Sequence, residues 1–557
     1  MKYALFTRTK LKRKLENYYW EGYSMKKSLF MFGLIGAMVS TNLVCPVYAA
    51  PTNATLVKSI NISDAGSACR TRIGDLNGDG RLDFLMVQAT SDNPSQVNAL
   101  TAYDHTGTKM WKIGTNNNQS GTDRDEPCQV YDIDNDGENE VIAVMNKKVK
   151  IFNGKDGKQE SEMNLPANDA TDAILICNVS GNSYPSDMIF KNRYGAAYVV
   201  NKEGKLLWSF KGATGHYPWN YDFDGDGKDE IIMSYTMLDH DGKKLWTAKN
   251  PIDHADCVQI GNLDGDASNG MEILLGTQGD YTVQAYNWKG NFLWWSNQLV
   301  EGQQVVIEDF DKNSSGLEVY GLDRVYRGSP GKDALFIFNS TGKLTWKEVA
   351  DNSGYATVIR KVSNWDGSNT PYCFAYRRGG NVKPGLYDGK GNMIVQFATD
   401  GNAEIADICG DSSEEVIIYD NTKLNIYAHS DEDYSLPAPS GKLRKQIKQH
   451  YNYSRYVSGE CLKTMSQPTQ DPTPTKPTTS PSIPTEKPSP TDGPSGDKIY
   501  DVNGDGSINM ADVMLLALCF NSVVGDERYN EAVDFNKDGS INMSDVMLLA
   551  GAFNKTV

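Results

Sequence analysis

The sequence predicts an all-β protein, an eight-bladed β-propeller with calcium loops (seven blades if a degenerate repeat is discounted), followed by a small α-helical calcium-binding domain. Three observations predict this. The first is an internal repeat of about 47 residues beginning at Asp75, the length of a four-stranded propeller blade. The second is the punctuation of each repeat: an Asp/Asn/Gly loop, two apolar strands, and a Gly-Lys turn often ending at Trp. The third is a pair of twelve-residue acidic loops near the C-terminus, each followed by apolar residues at helical spacing.

Eight repeat loops begin at Asp75, Asp132, Asn178, Asp222, Asn262, Asp309, Asn364 and Asp407. Those at Asn178 and Asn364 are the degenerate ones. Residues 55–73 are expected to complete the last blade and close the ring, which removes an exposed sheet edge. The propeller is assigned to residues 50–463.

Oxygen side chains at positions 1, 3, 5 and 9 of a Gly-bent loop converge as hard ligands for calcium. Complete sets are Asp75, Asn77, Asp79 and Asp83; Asp132, Asp134, Asp136 and Glu140; and Asp222, Asp224, Asp226 and Glu230. Asn262, Asp264, Asp266 and Glu272, and Asp309, Asp311, Asn313 and Glu318, carry small insertions. In the loop of Asp407, Asp411 and Glu415, Cys409 replaces the third-position oxygen. These loops resemble the FG-GAP class of propeller repeats. So many near-equivalent sites favour hairpin stapling by calcium over substrate bridging.

Near the C-terminus Asp501, Asn503, Asp505, Asn509 and Asp512 stand at positions 1, 3, 5, 9 and 12 of one loop, and Asp534, Asn536, Asp538, Asn542 and Asp545 match them in the second. This is EF-hand loop spacing, with Gly at position 6 for the sharp turn and Asp in place of the usual Glu at 12. No full helix precedes either loop. A Pro/Thr/Ser-rich tract at residues 464–497, which cannot bury a core, forms an extended tether in front of them. The paired loop-helix at residues 498–557 closely resembles the dockerin family, which implies a cohesin partner on a scaffold protein. The family's cohesin contacts fall on loop positions 10 and 11, here Met510 and Ala511 in one half and Met543 and Ser544 in the other. The near-twofold repetition implies that either half could present the contact.

The N-terminus reads as an export signal over residues 1–49, with Met25 as an alternative true start. Met25-Lys26-Lys27 is a charged beginning, Leu29 to Val39 an apolar run, and Val47-Tyr48-Ala49 a small-residue cleavage site. The apolar run is too short for a membrane anchor. Secretion is therefore expected, with no membrane span in the mature chain, and the dockerin resemblance implies a place in a cellulosome. The 557 residues hold 71 Asp+Glu against 55 Lys+Arg, a balance that argues against a nucleic-acid partner. The nine cysteines lack zinc spacing. Buried free thiols filling equivalent slots near the repeat starts, at Cys69, Cys128, Cys177, Cys257 and Cys409, are the favoured reading over disulfides.

Five tryptophans, Trp111, Trp208, Trp246, Trp295 and Trp346, recur at the repeat turn and are expected to pack between blades. Trp219 and Trp288 fall outside that slot and are candidate sugar platforms. Two of the six histidines occupy similar places ahead of consecutive loops: Gly215-His216 and His254-Ala255-Asp256. GHYPWNYDFDGDGKDEI and DHADCVQIGNLDGD resemble adjacent histidine-bearing repeats of polysaccharide lyase family 11, the rhamnogalacturonan lyases. The resemblance implies active-site roles for His216 and His254, with plant cell-wall polysaccharide as substrate and β-elimination as reaction. Asp256 would orient His254, and Arg377 or Arg378 would meet the uronate carboxylate. The plain structural alternative is that both histidines hydrogen-bond between blades. The sequence departs from the family at Thr399-Asp-Gly-Asn, where the family carries a Lys, and lacks the family's small β-sandwich. Those departures leave a non-catalytic carbohydrate-binding or structural propeller as the alternative.

Overall fold

The computed structural model describes residues 50–444 apart from 91–95, 118–125, 267, 278–280, 327, 329–330, 350–356, 378–383, 431–433, 435 and 437. Beyond these it describes residues 459–461, 500–502, 508, 510–520, 522–524, 529–537 and 539–552. The expected export signal and tether, Arg378, and the ligands Asn503, Asp505, Asn509 and Asp538 lie outside the described residues. So do the side chains of Arg377, Met510, Ala511, Met543 and Ser544. The chain divides into two units, Met1–Pro468 and Thr469–Val557.

Eight sheets, one per repeat and each with four antiparallel strands, make up the first unit and form an eight-bladed propeller; two of them gain a short parallel fifth strand. Blade 1 is Arg70–Gly74, Asp83–Ala89, Val97–Tyr103 and Lys109–Gly114 from axis to rim. The degenerate repeats are full blades: blade 3 runs from Ala173–Cys177 to Leu206–Lys211 and blade 7 from Thr357–Val362 to Met393–Gln396. Inner strands such as Ala173–Cys177 are buried along their whole length, whereas the rim strand Leu206–Lys211 alternates with solvent. This is the burial expected of a strand packed on both faces against one packed on a single face.

The ring closes through Thr55–Asn61, which pairs antiparallel with Lys423–Ala428 as the rim strand of blade 8. Only this part of residues 55–73 completes the last blade. Arg70–Gly74 instead opens blade 1, because each acidic loop joins the first and second strands of a blade and the repeat, counted from its loop, is one strand out of phase with the sheet. A further strand, Gly459–Cys461, runs parallel to the axial strand Cys257–Gly261 of blade 5.

Neighbouring blades are latched by indoles. Trp111 donates its Nε1–H to Gly154 O, Trp208 to His240 O, Trp246 to Trp288 O and Trp294 to Ser340 O, each across to the next blade. The indole lies against the turn glycine of that blade. A Cβ on Gly242 would stand 2.7 Å from Trp208, and one on Gly342 2.5 Å from Trp294; both glycines have positive φ. Only glycine satisfies the turn and the close approach together. Blade 5 uses Trp294 in this slot, so the expectation that Trp295 packs between blades is corrected. Trp295 is 38 % exposed and lies 4.5 Å, ring centre to ring centre, from Tyr281. Adjacent strand residues face opposite sides of a sheet, and only one of the pair can turn toward the neighbour.

All eight described cysteines are buried free thiols. Their slots are not equivalent: Cys128 and Cys257 open axial strands, Cys177 ends one, and Cys409 lies in a loop. Among the described residues no helix is long and apolar enough to cross a membrane.

In the second unit, helices Met510–Cys519 and Met543–Ala552 pack around Ile508, Leu516, Val533, Ile541 and Leu549. Ser522–Val523 pairs with Ser540–Ile541. Asp512 and Asp545 are fully buried; Asp512 Oδ1 accepts from Val502 N at 2.7 Å and Asp545 Oδ1 from Phe535 N at 2.8 Å. Position 12 thus organises the start of its own loop in both halves.

Candidate functional site

Acidic loops and histidines lie at opposite ends of the propeller. The loops join first to second strands. His216 and His254 stand on the connections that enter the axial strands Trp219–Tyr221 and Cys257–Gly261. Gly215, at φ +67°, lets this connection run against blade 5, where a Cβ would meet Ala255 O at 2.8 Å.

The two imidazoles and Asp256 come together. His216 Nε2 and His254 Nε2 each lie 3.5 Å from Asp256 Oδ1, with ring centres 4.9 Å apart. Tyr194 stacks on His254 at 4.2 Å and meets His216 edge-on at 5.4 Å. Arg193 lies over the Tyr194 ring at 5.1 Å. His216 and His254 are 4 % and 7 % exposed.

Their surroundings push the two histidines apart in acidity. Burial is the largest influence on His216 and outweighs Asp256, lowering its pKa to about 4. Burial also acts on His254, but hydrogen bonding and charge from Asp256 and from Asp253, whose Oδ1 lies 3.0 Å from Nδ1, outweigh it and raise the pKa. Burial opposes the charge on Asp256, yet both histidines hold its carboxyl below the usual range. At neutral pH the cluster combines a neutral imidazole, a carboxylate and an imidazole biased toward its cation. The three ligand atoms also lie within 4.8 Å of one another, a spacing that one divalent ion could share.

A polar chain extends from this cluster into blade 6. Gln303 Nε2 donates to Asp256 Oδ2 at 2.8 Å and to Glu301 Oε1 at 2.6 Å. Arg324 donates to Gln303 Oε1 and lies 3.6 Å from Glu301. Tyr194, Gln303 and Arg324 were missed by sequence reasoning, since none sits in a repeat motif. The signal that could have found Arg324 is its strand: it lies toward the end of Glu318–Tyr326, as Arg377 ends the corresponding Tyr372–Arg377 one blade on. Trp219 is 7 % exposed and donates to Glu460 Oε2 at 3.2 Å; Trp288 packs on Phe223 and beneath Gly270. Neither indole joins the histidine cluster.

At the other end, the loop carboxylates share one design. The residue expected at position 9 gives one oxygen to a loop N–H: Asp83 to Leu76, Glu140 to Ile133, Glu230 to Phe223, Glu272 to Leu263, Glu318 to Asp311 and Glu415 to Ile408. In two of the six the second oxygen is also taken: Asp83 Oδ1 accepts from His105 N at 3.0 Å and Glu318 Oε1 from the Ser314 hydroxyl. In blade 5, Glu272 Oε1 and Asn262 Oδ1 are buried without a hydrogen-bond partner among the described residues, an arrangement that suits a cation of oxygen ligands. Ligand atoms of Asp132, Asp134 and Asp136, and of Asp222, Asp224 and Glu230, lie within 4.8 Å of one another. Burial raises Asp83, Glu140 and Glu415 to about 8, and Glu230 and Glu272 to about 7. Blade 8 differs: Arg444 donates to Asp407 O and holds its guanidinium 3.6 Å from Asp407 Oδ2.

Comparison with known proteins places family matches on both units. Residues 499–554 match the dockerin type I domain, residues 196–436 the C-terminal domain of rhamnogalacturonan lyase family 11, and residues 75–143 an FG-GAP-like repeat. The rhamnogalacturonan endolyase YesW of Bacillus subtilis (strain 168) is 23 % identical over 432 residues, covering 65 % of this chain and 67 % of the relative. The rhamnogalacturonan exolyase YesX of the same organism is 22 % identical over 452 residues, covering 65 % and 71 %. The crystal structure of exotype rhamnogalacturonan lyase YesX superposes with a TM-score of 0.50 at 20 % identity, over 68 % of this chain and 75 % of that one, and supports the fold. The chain is thus a dockerin-bearing protein with an FG-GAP-like propeller resembling polysaccharide lyase family 11.

Proposed function

We propose that this chain is a secreted cellulosome subunit whose propeller cleaves a uronate-containing pectic polysaccharide, rhamnogalacturonan, by β-elimination. In this reading residues 1–49 are removed on export, residues 50–463 form the propeller, 464–497 the tether and 498–557 a dockerin that seats in a scaffold cohesin. Calcium staples the acidic loops of both units. The observation that carries the reading is the convergence of His216 and His254 on Asp256 with opposed protonation preferences, within the stretch that matches the family 11 domain.

The chemistry follows from those preferences. A cationic group beside the uronate carboxylate withdraws charge and acidifies the neighbouring C–H. Arg324 at the cluster edge is the cation supported by contacts, and Arg377 and Arg378 remain candidates from sequence. Neutral His216 takes the proton. The electron pair left behind forms the C=C bond and expels the glycosidic oxygen, which takes a proton from the imidazolium of His254. Asp256 holds both rings, and its charge is what sustains a protonated His254.

The test is ultraviolet detection of unsaturated uronate ends on a pectic panel that includes rhamnogalacturonan, with calcium present. Absorbance that rises with the wild type and is lost in His216→Ala and His254→Ala supports the lyase. Binding without any such rise would leave a non-catalytic carbohydrate-binding propeller. The depth of the two imidazoles, 4 % and 7 % exposed, favours that second reading.

A further inference from the structure

Blade 3 departs from its neighbours at the acidic-loop end. Its loop carries Asn178, Ser180 and Asn182 where Asp132, Asp134 and Asp136 stand in blade 2. The Asn178 side chain is already engaged: it donates to Asn182 O at 3.0 Å and Gly227 O at 3.3 Å, and accepts from Asn182 N at 2.7 Å. Asp187 and Asp229 are the carboxylates that reach this loop, Asp187 Oδ2 accepting from Ser180 N at 2.8 Å and Asp229 Oδ2 from Asn178 N at 2.7 Å, whereas a calcium site depends on several charged oxygens converging on one point. A cavity of about 260 Å³ opens instead between the loop and the turn at Asn201 and Lys202.

We propose that this cavity is a second carbohydrate-binding site, taking a single sugar ring at the end of the propeller opposite the histidines. Asp187 lines it, fully buried, with Oδ1 lacking a hydrogen-bond partner among the described residues. A buried acceptor of this kind calls for a donor, and a sugar hydroxyl supplies one. Ser180, Asn182 and Asn201 add hydroxyl and amide groups suited to further hydroxyls. Tyr184 supplies a ring for the C–H face of the sugar. Lys202 Nζ donates to the Tyr184 hydroxyl at 2.9 Å and lies 5.6 Å from the ring centre, so it sits beyond the hydroxyl rather than across the ring. The ammonium disfavours a metal ion here and admits a carboxylate-bearing sugar. The site does not depend on the lyase reading, since a non-catalytic propeller would use it equally.

The experiment is affinity electrophoresis of the full-length protein through gels containing rhamnogalacturonan, polygalacturonate or galactan, with excess calcium. Asp187→Asn, isosteric, whose amide oxygen can still accept from Ser180 N while an NH2 donor replaces the unpartnered oxygen, and Tyr184→Ala are run beside wild type and His216→Ala/His254→Ala. Retardation on at least one polymer is expected to weaken at least about tenfold in both cavity variants, and by a similar factor when they are made in the histidine-variant background. Circular dichroism melts establish that Asp187→Asn is folded. Wild-type retardation in folded Asp187→Asn and Tyr184→Ala overturns the proposal. So does the loss of one bound calcium in Asp187→Asn with retardation unchanged, which would make the cavity a cation site. Preference among the three polymers separates an acidic from a neutral sugar.

Discussion

Nε2 of His216 and Nε2 of His254 stand at the same distance, 3.5 Å, from a single oxygen of Asp256. The shared carboxylate does not distinguish the two rings; burial lowers His216, and the additional charge of Asp253 beside His254 raises that one.

For His216 the sign is definite. Its folded pKa, about 4, lies below the ordinary histidine value of 6.5, so the unfolded chain binds the extra proton between those values and stability falls as pH drops through that window. His254 has the opposite sign: its raised pKa favours the folded state below its unfolded value, and that contribution is lost as pH rises through the folded pKa. Melts from pH 4.5 to 7.5 should show a shallower acid-side decline for His216→Gln than for wild type. An unchanged slope would mean that His216 is not buried neutral.

Asp256→Asn should bring His254 back toward neutrality by removing the charge that sustains its cation. Under the lyase reading we expect kcat to fall by about 100-fold or more with KM little changed, and the alkaline limb of the pH–rate profile to move down. A variant with wild-type kcat would remove Asp256 from the mechanism.

Calcium binding should release protons. Without an ion burial holds Asp83 and Glu140 near 8 and Glu230 and Glu272 near 7, because it disfavours their charge. A cation requires them ionised. The calcium-free fold binds more protons than the unfolded chain between about 4.5 and 8 and so loses stability as pH rises across that window. Adding calcium to unbuffered, chelator-treated protein at pH 7 should acidify the solution and raise the melting temperature. No pH change would argue that these loops are not calcium sites.

The adjacent indoles of blade 5 should separate cleanly. Trp294→Ala removes a latch against Gly342 and is expected to cost about 3–5 kcal/mol, read as a lowered denaturation midpoint. Trp295→Ala should cost less than about 1 kcal/mol, because its ring is exposed beside Tyr281. Equal losses would contradict the assignment of Trp294 to the slot.

Arg444 places a fixed cation at the blade 8 loop, where Cys409 stands in the third ligand position. Arg444→Ala should lower stability by roughly 1–2 kcal/mol, and calcium should not recover the loss. Recovery by calcium would show that the loop binds an ion unaided.

The eight blades, the acidic loops and the paired C-terminal loops were legible because each depends on contacts within a few residues: glycines at turns, oxygens at alternate loop positions, apolar residues at strand or helix period. The phase of the blades was not, since counting from loops hides the axial strand that precedes each one. The histidines were legible by place and resemblance. Their linkage through Asp256 to Gln303 and Arg324, and their packing on Tyr194, were not, because those side chains come from blades 3, 5 and 6.

The sequence by itself determined the repeat, the number of blades, the candidate ligands and the tethered C-terminal module, all written in short-range spacing. Only the tertiary structure decided which of two neighbouring tryptophans latches the ring, that Arg444 rather than a third oxygen serves blade 8, and that burial sets His216 and His254 apart. Those outcomes depend on what another blade or a distant segment places within a few ångströms, and neither spacing nor composition records such contacts.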